Sequence, residues 1–574
     1  MADGREQTGA FSYRTALPWT NIFRCFQIAL DPRKLFVAAL GILAMSILWY
    51  ALSAVFWYKA PNRDGEDYSK EYIKKVLAGG DDPKTGQPWK SEDLDASAAK
   101  EAQARYDRDY AQWQQLDALA GPGGRLRTLP WYEYRGPNPF LFGTDVLGGS
   151  AADRERAVTG FFSGSVPVLV EPLVKMLLPV AKLVSPGVST QTRLYLFLIL
   201  LSNVAVWAFC GGVITRLAAV QLANKGPISL GQAVSFVAQR YASYVGAPLV
   251  PIGIIAAVVL GLVVYSFFAL LPIFGDVVLF GFGLPVVLAG GAIMTVFLIG
   301  LVGYPMMYCT LSAEGDQSDT IDALSRSVNY VYQAPWQYLW NWLVAVLYGA
   351  AVTLFVLFFA SVAVYVGKWG AGLTASVIWP ERKPEYLFIY APESFGWREL
   401  LTKDSPYAIR GEWTGIDRDG NETNDPGRAV RQVMTYRPVN EDAFKTARAD
   451  FYYHNTWGAG IVCFLLTLAF LMMLGFSYSF FWSAATVVYF LMRKKVDDAE
   501  MDEVFEETEP EAPLSPPKLA AAPAPSEPSP TSLPVIQAPP PAPSPAATLP
   551  FTPPAPPADA PPPSDAPPAD APPK

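Results

Sequence analysis

Charge is what this chain has least of. Only 17% of its 574 residues are Asp, Glu, Lys or Arg, against about a quarter in an ordinary soluble protein. Histidine is nearly absent, with His454 alone, and the four cysteines are Cys25, Cys210, Cys309 and Cys463. No CxxC spacing occurs, which excludes the usual zinc patterns. The two long polar stretches, 59–193 and 368–454, hold no cysteine from which to build a disulfide framework. One histidine cannot furnish an HExxH site, a multi-histidine metal centre or a haem pair, and His454 reads as an interfacial loop residue. The phosphate loop GxxxxGK(S/T) is missing as well. No cofactor, metal site or catalytic residue is expected from this inventory, and an enzyme is not expected.

Apolar length is what the chain has instead. Six charge-free stretches, 35–58, 194–215, 241–275, 277–313, 327–367 and 455–492, are each long enough to cross a bilayer, which takes about 20 apolar residues in a helix. The expected fold is an all-α polytopic membrane protein with about six transmembrane helices, two extracytoplasmic insertions and a disordered C-terminal tail. The spans are placed at 35–58, 194–215, 246–271, 277–311, 339–366 and 458–492. The fourth run has 37 residues and would extend about 55 Å as one helix, well past a hydrocarbon core of about 30 Å. Gly281, Gly283 and Pro285 offer a break into a re-entrant segment and a span, with a single span as the alternative.

Basic flanks set the expected orientation. Arg5, Arg14, Arg24, Arg33 and Lys34 precede the first span, Arg216, Lys225 and Arg240 follow the second, and Arg493-Lys494-Lys495 follow the sixth. This predicts a bacterial inner-membrane protein with both termini cytoplasmic, residues 1–34 forming a cytoplasmic segment without a signal-peptide core. The formal charge of −8 comes from the far end, where residues 497–574 carry thirteen acids against Lys518 and Lys574. No part has the basic stripe that nucleic-acid binding requires, so the lipid bilayer is the first expected partner.

The C-terminal segment divides in two. Residues 510–574 hold 26 of the 52 prolines and read as an extended, disordered tail. Ahead of them, Asp497–Glu511 is an acidic block punctuated by Met501, Val504 and Phe505. Asp502, Glu503 and Phe505 are the candidate contacts of a docking peptide for a cytoplasmic protein. Truncation after Lys495 is expected to leave the membrane part folded.

The insertions are less uniform. Glu66–Leu77 and Ser91–Ala120 read as surface helices, the second ended by the Gly-Pro-Gly-Gly at 121–124. Residues 166–184 set apolar positions around isolated Glu171, Lys175 and Lys182, with three prolines. That pattern predicts a helix lying on the outer leaflet, or a core strip packed beneath the 59–160 helices. Residues 367–457 read as a small mixed fold. Within it, Asp417-Arg-Asp419-Gly420-Asn421 is a turn and not a calcium loop, because Gly415 and Pro426 fall where such a loop needs acids.

Two amphipathic helices are predicted on the cytoplasmic side, within 216–245 and 312–335. Ser229 and Gln232 have the S-x-x-Q capping-box spacing, and Asp319-Thr-Ile-Asp322 opens the second helix 90 residues further on. Asp322 and Arg326, four apart, are expected to pair locally, with a headgroup or partner site as the other reading. Ser229, Gln232, Asp322 and Arg326 are therefore candidate interaction residues.

The stretch from Tyr304-Pro-Met-Met-Tyr-Cys to Ala313-Glu-Gly, then Asp322-Ala-Leu-Ser-Arg326-Ser-Val and Trp336, resembles a group of bacterial polytopic membrane proteins. That group includes the membrane domain fused to some glycerophosphodiester phosphodiesterases. Residues Ser229 to Arg240 look like a degraded copy, and the resemblance covers about 200–366. The phosphodiesterase catalytic domain has no counterpart here, so the resemblance implies a membrane domain and no reaction. Two functions stay open: a non-catalytic envelope scaffold or assembly component, and a permease-like protein handling a lipid or small apolar solute. Ion-coupled carriers place charges in their spans, and none of the six runs contains one, which favours the scaffold.

Overall fold

Asp31 opens the first long helix. Its carboxylate accepts the Arg33 amide at 3.0 Å and pairs with the Arg33 guanidinium at 2.8 Å, while Pro32 fits the first turn, where no amide donor is needed. The computed structural model describes residues 17–56, 129–136, 138–140, 171–185, 190–268, 270–378, 384–416, 422–423 and 431–505, together with Ser150, Ala151, Arg154, Glu155, Thr159 and Val188. The contact pattern divides the chain after Glu507, and all described residues precede that point. The expected helices at 66–77 and 91–120, the turn at 417–421 and the proline-rich tail lie outside the described residues.

Helices run in the order α1 (Cys25–Ala29), α2 (Pro32–Val55), α3 (Glu171–Leu183), α4 (Thr190–Leu222), α5 (Leu230–Gln239), α6 (Tyr241–Phe268) and α7 (Leu284–Val302). They continue as α8 (Tyr304–Glu314), α9 (Thr320–Gln333), α10 (Pro335–Ile378), α11 (Trp397–Thr402), α12 (Glu441–Ala449) and α13 (Tyr453–Val496). Six of them, α2, α4, α6, α7, α10 and α13, are long and apolar enough to cross a membrane. The chain is an all-α polytopic membrane protein, with one small sheet in its second insertion.

Several spans outrun their charge-free cores. Helix α4 continues through Arg216, because the guanidinium is satisfied inside the fold: it donates to the Ser312 carbonyl at 2.8 Å and lies 4.0 Å from the Phe236 ring centre. Helices α10 and α13 have 44 residues each, about 66 Å against a core of about 30 Å, so both must project beyond it. The fourth apolar run breaks twice. A π-helical segment, Phe274–Phe282, stops at Gly283, and α7 stops at Gly303. There the Ser327 hydroxyl donates to the Gly303 carbonyl at 2.7 Å, and Pro305 has no amide with which to carry the ladder through.

The bundle has an aromatic centre made by α2, α4, α8 and α13. Trp207 stacks on Tyr478 with ring centres 4.7 Å apart, and Tyr308 stacks on Trp482 at 5.1 Å. Trp49 donates to Asn203 across α2 and α4 at 2.8 Å. Gly475 lets α13 touch the backbone of α2: a Cβ there would lie 2.9 Å from the Leu35 carbonyl oxygen and 3.1 Å from the Ala39 amide. Helices packed inside lipid gain little from the hydrophobic effect and depend on this kind of close contact. By contrast, α6 and α7 expose Leu260, Phe267, Leu288 and Ile293 around their circumference, as lipid-facing helices do.

One end of the bundle carries α5, α9 and the segment after α13; it is called the strap side below. The other end, the insertion side, carries residues 384–450. There β1 (Ile409–Ile416) lies between β2 (Glu422–Thr423) and β3 (Arg431–Pro438) in an antiparallel sheet, with Ile409 opposite Pro438 and Ile416 opposite Arg431. The module rests on the projecting ends of α10 and α13. Trp397 donates to Ser361 at 3.1 Å and packs edge-on to Phe470, and the Cys463 thiol donates to the Tyr390 carbonyl at 2.8 Å.

Helix α3 is half sunk into the fold: Glu171, Pro172, Lys175 and Pro179 are buried against α4, α13 and residues 133–135, while Leu177 on its other face and Val184 at its end are exposed. Its isolated charges can enter the bundle because partners from elsewhere in the chain meet them there.

Candidate functional site

The residues singled out by their spacing gather on the strap side, in two capped helices and the turn between α8 and α9. Ser229 accepts the Gln232 amide at 3.2 Å while Gln232 accepts the Ser229 amide at 2.7 Å, closing a reciprocal cap on α5. Asp319 accepts the Asp322 amide at 2.9 Å and Asp322 accepts the Asp319 amide at 3.4 Å, which caps α9 in the same way. Both caps therefore satisfy backbone donors at their own helix starts, 90 residues apart.

The local Asp322–Arg326 pair does not form. With Asp322 turned to its own helix start, Arg326 reaches back to Glu314 at the end of α8, at 2.6 Å. Glu314 is buried, and the same carboxylate oxygen accepts the Tyr489 hydroxyl of α13 at 3.0 Å. The acidic turn and the arginine of the quoted motif are thus joined through a span. Beside them the Tyr330 hydroxyl donates to Asp497. Burial and that carboxylate push the Tyr330 phenol well above its ordinary range, so it remains a donor.

The segment Asp497–Phe505 is part of the folded body and not a free peptide. Arg493 holds Glu503 through its carbonyl at 2.7 Å and its carboxylate at 3.4 Å, and Lys494 holds Glu500 at 3.0 Å. At its end Phe505 donates its amide to the Ala313 carbonyl at 2.7 Å and accepts from Arg216 at 2.9 Å. The ring covers Gly315, whose φ of +58° makes room for it; a Cβ there would overlap the ring. Asp502 is exposed and takes no part in these pairs. The strap folds back because the Arg493-Lys494-Lys495 cluster at the end of α13 faces the acids that follow it.

A second constellation was not expected from the sequence. Arg135 is fully buried and meets Glu171 of α3 at 2.6 Å (Nε) and 2.9 Å (Nη2), Glu133 through Nη2, and the Ser394 hydroxyl at 3.2 Å. Lys175, one turn along α3, meets both Glu133 and Glu171 at 2.8 Å. Two acids and two bases thus form a closed, neutral ring of charge beside Tyr478 of α13. Burial alone would raise the Glu171 carboxyl, but Arg135 and Lys175 outweigh it and hold it down to about 2. Burial dominates at Glu133 and pushes its carboxyl up.

The ring ties separate parts of the chain together. Arg135 belongs to the first insertion and Ser394 to the second, and the amides of Glu393 and Ser394 donate to the Trp131 carbonyl at 2.9 and 3.1 Å. Asn138 adds a bond to the Phe395 carbonyl at 2.9 Å and another to Ser361 of α10 at 3.3 Å. The arrangement is chemically a clamp. Among the described residues no three His, Cys, Asp or Glu side chains are placed to hold a metal ion.

Compared with protein-family models, curated proteins and solved structures, the chain matches none.

Proposed function

We propose that the chain is a non-catalytic assembly component of a bacterial inner membrane. In this reading it holds a folded module outside and a docked strap inside, on one rigid bundle. The observation that supports this is the closed ring of Glu133, Arg135, Glu171 and Lys175. An ion-coupled carrier uses buried charges that exchange partners during transport. Here four charges are saturated by one another and by Ser394, which suits a fixed joint between the insertions and the spans. The basic ends of α2 and α13 favour a cytoplasmic strap side, and in this reading the partner of the chain beyond Phe505 is a cytoplasmic protein.

Single cysteines at Ser405 and Asp502 test the orientation: an impermeant reagent applied to intact cells labels the first and not the second. Photo-crosslinkers at the exposed Trp413 and Tyr452 then test the scaffold reading. Discrete protein adducts from both positions are expected, lost when Glu171 is replaced. The absence of adducts, together with saturable solute flux in vesicles reconstituted with the purified chain, overturns it.

A further inference from the structure

We infer that the apolar slot between α10 and α13 holds one acyl chain of a bilayer lipid. The slot has a volume of about 260 Å³ and is walled by Tyr338, Trp342 and Thr353 of α10 and by Phe480 and Ala484 of α13, with Pro172 of α3 closing it. For comparison, an apolar cavity of about 150 Å³ stays dry and accepts benzene. The buried Trp342 indole N–H on this wall has no partner among the described residues, but one free donor is fewer than the about two to four contacts that hold a buried water. The Tyr338 hydroxyl already donates to the Val302 carbonyl at 2.7 Å, and the Ser477 hydroxyl to the Leu474 carbonyl at 2.9 Å.

The position of the mouth selects the occupant. Leu339 and Val346 line the slot and are 53% and 38% exposed, on the same face of α10 as exposed Leu343 and Leu347. That face belongs to a membrane span, so hydrocarbon reaches the opening and a water-soluble ligand does not. From Tyr338 to Thr353 the wall follows 15 residues of helix, about 22 Å. One leaflet contributes only about half of a 30 Å core, so the slot is long enough to take a whole chain lengthwise. Trp336, 82% exposed at the start of α10, marks the interfacial level at which the headgroup would remain. The chain enters from the strap-side leaflet and ends against Pro172, next to the charge ring.

This site does not depend on the scaffold reading. The test uses the full purified chain in nanodiscs of phosphatidylethanolamine and phosphatidylglycerol, doped with a phosphatidylcholine carrying a diazirine in one acyl chain. After irradiation, adducts are expected to concentrate on 338–353 and 477–484. Ala350→Phe, which places a ring in the slot, should reduce them at least tenfold while leaving labelling of α6 and α7 unchanged. Should that variant misfold, Val346→Trp at the mouth gives the same comparison. Labelling spread evenly over all exposed spans and insensitive to either substitution overturns the site. A photo-crosslinker placed at Ala350 that captures a segment of this chain outside the slot walls, or a second protein, in place of lipid overturns it equally.

Discussion

Replacing Glu171 by glutamine removes one charge from a ring that contains four. Glu171 is the more heavily engaged of the two acids, accepting two bonds from Arg135 and one from Lys175. After the change, Arg135 and Lys175 share Glu133 alone, and the site carries an excess positive charge buried from solvent. Removing one partner of a buried ion pair costs about 3–5 kcal/mol. The ring also locates α3 and residues 129–136, so the loss should appear in global unfolding. It can be measured by titrating the protein in dodecyl maltoside micelles with sodium dodecyl sulfate and following tryptophan fluorescence.

The decisive comparison is with a more heavily substituted variant. Glu171→Gln combined with Lys175→Met restores neutrality and leaves Arg135 paired with Glu133. If uncompensated charge is the cause, the double variant should be more stable than the single one, recovering roughly half of the loss. Additive losses, or a single variant that unfolds with the wild type, would refute the clamp. Removing all four charges for apolar residues of similar volume should be near neutral, because such pairs contribute little beyond their own desolvation.

Three further outcomes follow from the strap side and the bundle centre. Glu314→Ala strips the acceptor from Arg326 and Tyr489 and should cost about 2–3 kcal/mol, whereas Asp322→Ala loses only the N3 half of a capping box whose N-cap, Asp319, remains, about 0.3–1 kcal/mol; equal losses in the same titration would contradict this assignment. Truncation after Glu507 should leave unfolding unchanged, truncation after Lys495 should destabilise, and Phe505→Ala should cost about 1–2 kcal/mol as its half-buried ring is lost; a Lys495 truncation as stable as the full chain would show that the strap is not structural. Gly475→Val forces α13 off α2 and should cost at least about 1–3 kcal/mol by overpacking, seen as a fall in monodisperse protein on size exclusion; wild-type behaviour would mean that α2 and α13 do not touch there.

The spans and caps were legible because each is written in a short window. Twenty residues without charge can be recognised wherever they lie, and S-x-x-Q or D-x-x-D before an apolar periodicity implies a capped start. The break at Gly283 was foreshadowed by Gly281, Gly283 and Pro285. The second break, at Gly303, had a local sign in Pro305, but the Ser327 hydroxyl that meets the Gly303 carbonyl lies 24 residues later. Arg326 illustrates the same limit: its spacing from Asp322 suggested a local pair, but the stronger acceptor, Glu314, lies across a turn that positions it against Tyr489. The strap was visible as an acidic block with three apolar residues. Its docking was not, since the slot for Phe505 exists only where Gly315 takes a positive φ.

The charge ring bears on how intramembrane charge should be used as a criterion. None of the six apolar runs contains Asp, Glu, Lys, Arg or His, and on that basis the interior of the bundle would be neutral. Yet Glu171 and Lys175 enter it on a helix that is not itself a span, and Glu133 and Arg135 follow from a segment about 40 residues earlier. The spacing that could have signalled this is Glu171–Lys175, four apart on an apolar helix, near a Glu-x-Arg in the same insertion. Isolated charges in apolar surroundings are stable only when they meet opposite charges, so finding them in an insertion raises the question of their partners before that of their surface. Once the partners are found, the count of charges matters less than their freedom. Every one of the four is engaged by at least two others, and any motion that separates α3 from residues 129–136 must break several of these bonds at once. That resistance to exchange is the property that favours a fixed joint over a translocation pathway.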